Sequence, residues 1–274
     1  MDHHHTSHPV SGGALDVVLP VLAPLVCAGG YLLLASRARR RHPVRAWSAW
    51  RSTAFCAGVL LLAVALLPPV APFAHRDFRG HMVQHLLIGM YAPLALVLGA
   101  PVTLVLRAVS APRARRLAAV LHSGPARLLS RPAVALPLSA GSLPVLYFTP
   151  LYDTAMAHPA GHWLVHAHSL LSGCLFAHAV AGPDPAPARP GVPARLAWLG
   201  CAIAVHAVAA QLMYGGFWVD VHAPASEVRG GAEIMYYGGD IAELLLAAAL
   251  VATWRPGRRP FTRPVPLRPA RPSG

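Results

Sequence analysis

The stretch Met82-Val-Gln-His85-Leu-Leu-Ile-Gly-Met90-Tyr-Ala-Pro93-Leu-Ala-Leu-Val-Leu-Gly-Ala-Pro101-Val-Thr-Leu-Val-Leu106 contains no Asp, Glu, Lys or Arg. A helix rises about 1.5 Å per residue, and a bilayer core of about 30 Å needs about 20 apolar residues. This stretch is therefore a membrane span, and its prolines predict a kink. Six more apolar runs flank it: Leu15–Ala35, Ala54–Ala74, Ala133–Phe148, His162–Gly182, Leu196–Tyr214 and Met235–Trp254. Backbone polar groups in lipid must pair internally, so the runs are helices. The expected fold is all-α, a polytopic membrane protein built as a seven-transmembrane-helix bundle over residues 15–254. The fourth run is the shortest and carries Pro137 and Pro144.

Charge sets the orientation. All 23 basic residues are Arg, and they give a net charge of +13 against 10 acids. Such a balance would fit nucleic acid if the arginines shared one face, but they cluster between the apolar runs, which argues for a lipid bilayer and no nucleic acid. Twenty of the 23 fall after the first, third, fifth and seventh runs; Arg76, Arg79 and Arg229 lie on the other side. The Arg-rich side is cytoplasmic by the positive-inside rule, placing the N-terminus outside and the C-terminus inside. Residues 1–14 read as an external His-containing tail, and residues 255–274 as a basic Pro-rich cytoplasmic tail lying against anionic lipid. The first run has no basic segment ahead of it and reads as a retained span. Residues 113–131 read as an amphipathic stretch along the inner interface.

Charged residues are only 12% of the chain and mean hydropathy is +0.49, far from a soluble or disordered protein. Cys27, Cys56, Cys174 and Cys201 all lie in apolar runs without a CxxC pair, and are expected to be small buried residues. There is no HExxH, GxSxG or P-loop.

Sixteen histidines are unevenly placed. His3, His4, His5 and His8 form an external tail cluster, read as solvated. The informative ones sit at the outer ends of the runs. His81 and His85 are i,i+4 and share a helix face, as do His162 and His166. His168 is turned about 200° from His166. His206 lies near mid-depth, and Asp240 and Glu243 form an i,i+3 pair inside the last run. One outer-end His is an ordinary interfacial residue. Two HxxxH pairs with an intramembrane carboxylate pair at similar depth point to a metal or haem site between facing helices. Met82, Met156, Met213 and Met235 near the outer ends favour copper. Zinc and haem stay open: a seven-span zinc-dependent membrane hydrolase would use three His and an activated water, and a haem-binding protein would take His pairs as axial ligands. A histidine-box desaturase would need its His boxes on the cytoplasmic side, opposite to the topology here.

Three motifs resemble the multi-span CtaG family of cytochrome c oxidase assembly factors. They are His81-Met-Val-Gln-His85 through Pro101-Val-Thr-Leu104, Tyr147-Phe-Thr-Pro-Leu-Tyr-Asp153 with His162, His166 and Gly182-Pro-Asp184-Pro, and Met235-Tyr-Tyr-Gly-Gly-Asp240-Ile-Ala-Glu243. The resemblance implies a multi-pass protein of the bacterial plasma membrane, not an enzyme, acting with cytochrome c oxidase subunits on the oxidase copper centre. It implies copper as the metal and His81, His85, His162, His166, Asp240 and Glu243 as candidate ligands. His168 and His206 belong to none of these motifs. Outside them, Asp153 is expected to cap a helix, and Gly182-Pro-Asp184-Pro to end a span.

Overall fold

The computed structural model describes residues 14–186 and 189–254, so the His-containing and basic tails fall outside it apart from its first residue. Among the described residues every regular element is a helix. Six are long and apolar enough to cross a membrane: Pro20–Arg41, Ala49–Leu66, Phe78–Ala108, Pro159–Ala181, Val192–Gly215 and Ala225–Thr253. The fourth expected run does not form one such helix. It folds as two short helices, Pro132–Leu138 and Ser142–Tyr147. Pro137 and Pro144 each lack an N–H donor, and the chain between the two helices turns through Ser139, Ala140 and Gly141.

In chain order the helices are α1 (Ala14–Arg41), α2 (Ala49–Leu66), α3 (Val70–Ala74), α4 (Phe78–Leu86), α5 (Ala92–Leu98), α6 (Pro101–Ala108), α7 (Ala111–Leu121), α8 (Gly124–Leu129), α9 (Pro132–Leu138), α10 (Ser142–Tyr147), α11 (Leu151–Met156), α12 (Pro159–Ala181), α13 (Val192–Gly215) and α14 (Ala225–Thr253). Two expected boundaries move. The second span starts at Ala49 and stops at Leu66, because Leu67 is extended ahead of Pro68 and Pro69 and the chain restarts as the short α3. The last span begins about three turns earlier than its apolar window, at Ala225. Glu227, Arg229 and Glu233 hide the start from hydropathy, yet Val228, Gly231, Ala232 and Met235 keep a buried helical stripe through it.

The kink expected in the third span has two parts. A π-helical turn, Leu87–Tyr91, precedes Pro93, whose ring would clash with the Gly89 carbonyl in a regular helix. α12 crosses this turn closely: a Cβ on Gly173 would lie 2.1 Å from the Gly89 oxygen. The second part is Ala100, left-handed at φ 51° just ahead of Pro101. Asp184, expected only to end a span, closes the start of α6 instead. Its carboxylate accepts from the backbone N–H of Val102 (3.1 Å) and Thr103 (2.8 Å) and from the Thr103 hydroxyl. Arg189 and Arg195 donate to the His178 and Val180 carbonyls at the end of α12, and Arg189 also to the Asp184 carbonyl in the loop beyond it.

The interior divides into three apolar clusters. One, with Phe176, Val180, Leu199 and Leu250, lies toward the Arg-rich end. A second, with Phe78, Met82, Tyr147, Met213 and Met235, lies toward the other end. The third joins α1, α2 and α6 around Tyr31, Trp47, Phe55 and Leu104. There the Tyr31 hydroxyl donates to the Gly99 carbonyl at 2.7 Å and accepts from the Trp47 indole at 3.1 Å. α7 and α8 bury no residue and expose Arg113, Arg115 and Arg116, consistent with a stretch lying along an interface. The four cysteines are free. Cys27 and Cys201 are exposed on the apolar outer faces of α1 and α13, correcting the expectation that all four are buried.

Candidate metal centre

The start of α4 sets the site. Asp77 caps it, accepting from the Arg79 backbone N–H at 2.8 Å, and the Arg79 guanidinium holds that carboxyl below the usual range. The Phe78 N–H donates to Glu227 at 3.0 Å, tying α4 to the first turn of α14. Asp153 is not a cap: it lies in the first turn of α11 and accepts from the His222 ring at 2.6 Å.

The six candidate ligands fall in three places. His81 is buried at 3% exposure in an aromatic box, with Nε2 3.1 Å from the Tyr147 hydroxyl and the Tyr152 ring 4.9 Å away. His162 and His166 stack edge to face at 4.3 Å and open into a pocket of about 340 Å³ with His75, His158 and Met156. His85 and Glu243 line a separate internal cavity that also contains His206. Asp240 is half-buried one turn from Glu243 and lines neither. His168 is exposed while His166 is buried, as their angular separation requires.

The outer pocket has a defined tautomer. The buried Gln84 amide donates from Nε2 to the Ala65 carbonyl at 2.8 Å, so its oxygen faces His166 Nε2 at 3.1 Å. A carbonyl oxygen only accepts, so His166 carries its proton on Nε2. Its Nδ1 lone pair is left without a partner. His75 Nδ1 donates to the Ala71 carbonyl at 2.5 Å, which frees Nε2, and its ring lies 4.8 Å from that of His162. Fixing one imidazole nitrogen so that the other is free is how protein metal sites orient their ligands.

Sequence reading missed His75, His158 and Gln84, and left His206 unassigned. His75 sits in the break between α3 and α4, outside any helical stripe. Gln84 was visible inside HMVQH, but its role depends on Ala65 and His166, which only the tertiary fold supplies. Few of the methionines reach a pocket. Met82, Met213 and Met235 are fully buried in the apolar cluster, leaving Met156 at the outer pocket and Met90 at the inner cavity. Among the described residues, one group of three has metal-ligating atoms all within 4.8 Å: Asp153, Asp220 and His222, at the surface. The Asp153–His222 contact already satisfies two of its members.

The chain is 32% identical over 262 residues to a protein of Mycobacterium leprae, covering 88% of this chain and 38% of that protein. Proteins of Mycobacterium bovis and Mycobacterium tuberculosis match equally, at 32% identity over 88% of this chain and 39% of theirs. The chain thus spans under two fifths of the length of these relatives. No solved structure matches it. The model of the cytochrome c oxidase caa3 assembly factor family matches residues 29–256, nearly all of the described bundle. This multi-pass helical membrane protein belongs to the cytochrome c oxidase caa3 assembly factor family.

Proposed function

We propose that this chain is a non-catalytic assembly factor of the bacterial plasma membrane that binds copper transiently at its outer end while cytochrome c oxidase matures. Its partners are oxidase subunits. It crosses the bilayer seven times, with α9 and α10 as a broken fourth crossing, and its N-terminus is outside. The observation that carries this reading is the Gln84–His166 contact, which leaves an imidazole lone pair free beside His162 and His75. Neutral imidazoles with a nearby thioether suit copper, and a pocket at the Arg-poor end faces the side where a partner would receive it. His81 packs against Tyr147 and Asp240 lies one turn from Glu243, so neither is a ligand at this pocket.

The test is a strain carrying the His162→Ala/His166→Ala protein in place of the natural one. Oxidase in its membranes should lack copper while retaining its haem spectrum. Normal oxidase copper at normal expression of the variant would overturn the proposal.

A further inference from the structure

Between the inner and outer apolar clusters lies a cavity of about 50 Å³, enough for an ion with a water or two. Its polar walls include His85, His206, Glu243 and four serines, Ser139, Ser142, Ser169 and Ser172, with Met90 beside them. His206 and Glu243 are buried at 3% and 4% exposure. Their nearest atoms, Nδ1 and Oε1, stand 3.8 Å apart, too far for a hydrogen bond. His206 Nε2 and Glu243 Oε2 have no protein partner. Buried polar atoms are rarely left so, because each costs about 1–3 kcal/mol.

A shared metal ion accounts for this spacing. Bonds of about 2.0–2.2 Å to N and O allow two ligand atoms on one ion to sit at most about 4.2 Å apart. The observed 3.8 Å lies within that limit. His206 is fixed for the role because its imidazole lies against Gly239, where a Cβ would come within 1.9 Å of Cε1. His85 lines the same cavity, and the three do not close to within 4.8 Å of one another, so it engages across the remaining space. Charge selects the ion. Two neutral imidazoles and one carboxylate carry a single negative charge, which a monovalent cation cancels and a divalent one overshoots in a low-dielectric interior. A monovalent cation that accepts imidazole and thioether ligands is Cu(I).

We propose that His206 and Glu243, faced by His85, form a Cu(I) station inside the bundle. The outer histidine pocket supplies it. α12 links the two, since His162 and His166 line the pocket and Ser169 and Ser172, on the following turns, line the cavity. This rests on the reading that the outer pocket takes up copper, and it adds a second site built around His206, which belongs to no motif in the sequence.

The experiment is anaerobic Cu(I) titration of the detergent-purified full chain against a chromophoric chelator. Comparison is between the wild type, His206→Ala, Glu243→Gln and His162→Ala/His166→Ala, so that any contribution of the tail histidines cancels. Glu243→Gln keeps the side-chain shape, and the melting temperature checks folding. Both inner variants should bind their tightest Cu(I) at least about tenfold more weakly. The outer variant should retain that equivalent at equilibrium but fill it more slowly. Wild-type affinity in folded Glu243→Gln and His206→Ala protein would overturn the inner station, as would a wild type that binds no Cu(I). If the outer variant alone lost copper, the inner station would fail while the assembly reading, judged separately by oxidase copper in cells, would stand.

Discussion

The smallest unit that decides chemistry here is a side-chain amide. Gln84 is 1% exposed and spans from α2 to α12, so its two ends read the polarity of the groups they meet. Replacing it with Ala leaves the Ala65 carbonyl and His166 Nε2 unpaired, at about 1–3 kcal/mol each. It also frees the imidazole to change tautomer. Gln84→Ala should lower the melting temperature and weaken copper binding by about 10–100-fold, the usual effect of removing a group that orients a ligand. Unchanged affinity in the folded variant would show that the His166 tautomer is irrelevant to copper. The HxxxH pairs were legible because i,i+4 spacing is a local property of a helix. What they face was not. His81 and His85 share a stripe, yet Tyr147 occupies the first while the second opens on the cavity, and that division is made by α10.

At the scale of elements, close approach and tethering dominate. α12 passes the π-helical turn so tightly that Gly173→Ala must push a Cβ into the Gly89 carbonyl. The expected loss is about 1–3 kcal/mol, read as a lower melting temperature. Gly124→Ala is the control: open space surrounds that position, and stability should hold or rise. On the outer surface, the segment between α13 and α14 is tied to α11 by His222 and Asp153. The Asp153 carboxylate raises the His222 pKa above its ordinary 6.5. A raised folded-state pKa stabilises the tether fully below about pH 6.5, and the effect fades as pH rises through the folded value. Amide exchange around His222 should therefore speed up as pH climbs above neutrality, beyond the intrinsic rate increase. His222→Ala should abolish that excess. The helices themselves were readable from apolar runs, but their ends were not. Hydropathy placed the last span at Met235, whereas alternation of buried Val228, Gly231 and Ala232 with exposed Arg229 and Glu233 carries α14 back to Ala225. Proline made the opposite error possible, since Pro68 and Pro69 cut an apolar run that composition alone treats as continuous.

For the whole molecule, the number of crossings turns on α9 and α10. Neither reaches across a core of about 30 Å alone. Irregular backbone at membrane depth is tolerated only where it is buried or lines a polar cavity. The break between these helices meets that condition: Ser139, Ala140 and Ser142 all line the internal cavity. A broken crossing there keeps Arg107 through Arg131 on the same side as the arginines after α1 and α12, as the positive-inside rule requires. Were α9 and α10 to dip in and return, those arginines would share a side with His158 and His162. Arg116 and Thr154 are separated only by α8 and these two short helices with α11, so the pair decides the matter. An alkaline phosphatase fused after Thr154 should be active, and one fused after Arg116 inactive. Equal activity at the two points would place the starts of α4 and α12 on opposite sides of the membrane, and the outer pocket, which needs His75 and Gln84 beside His162 and His166, could not form.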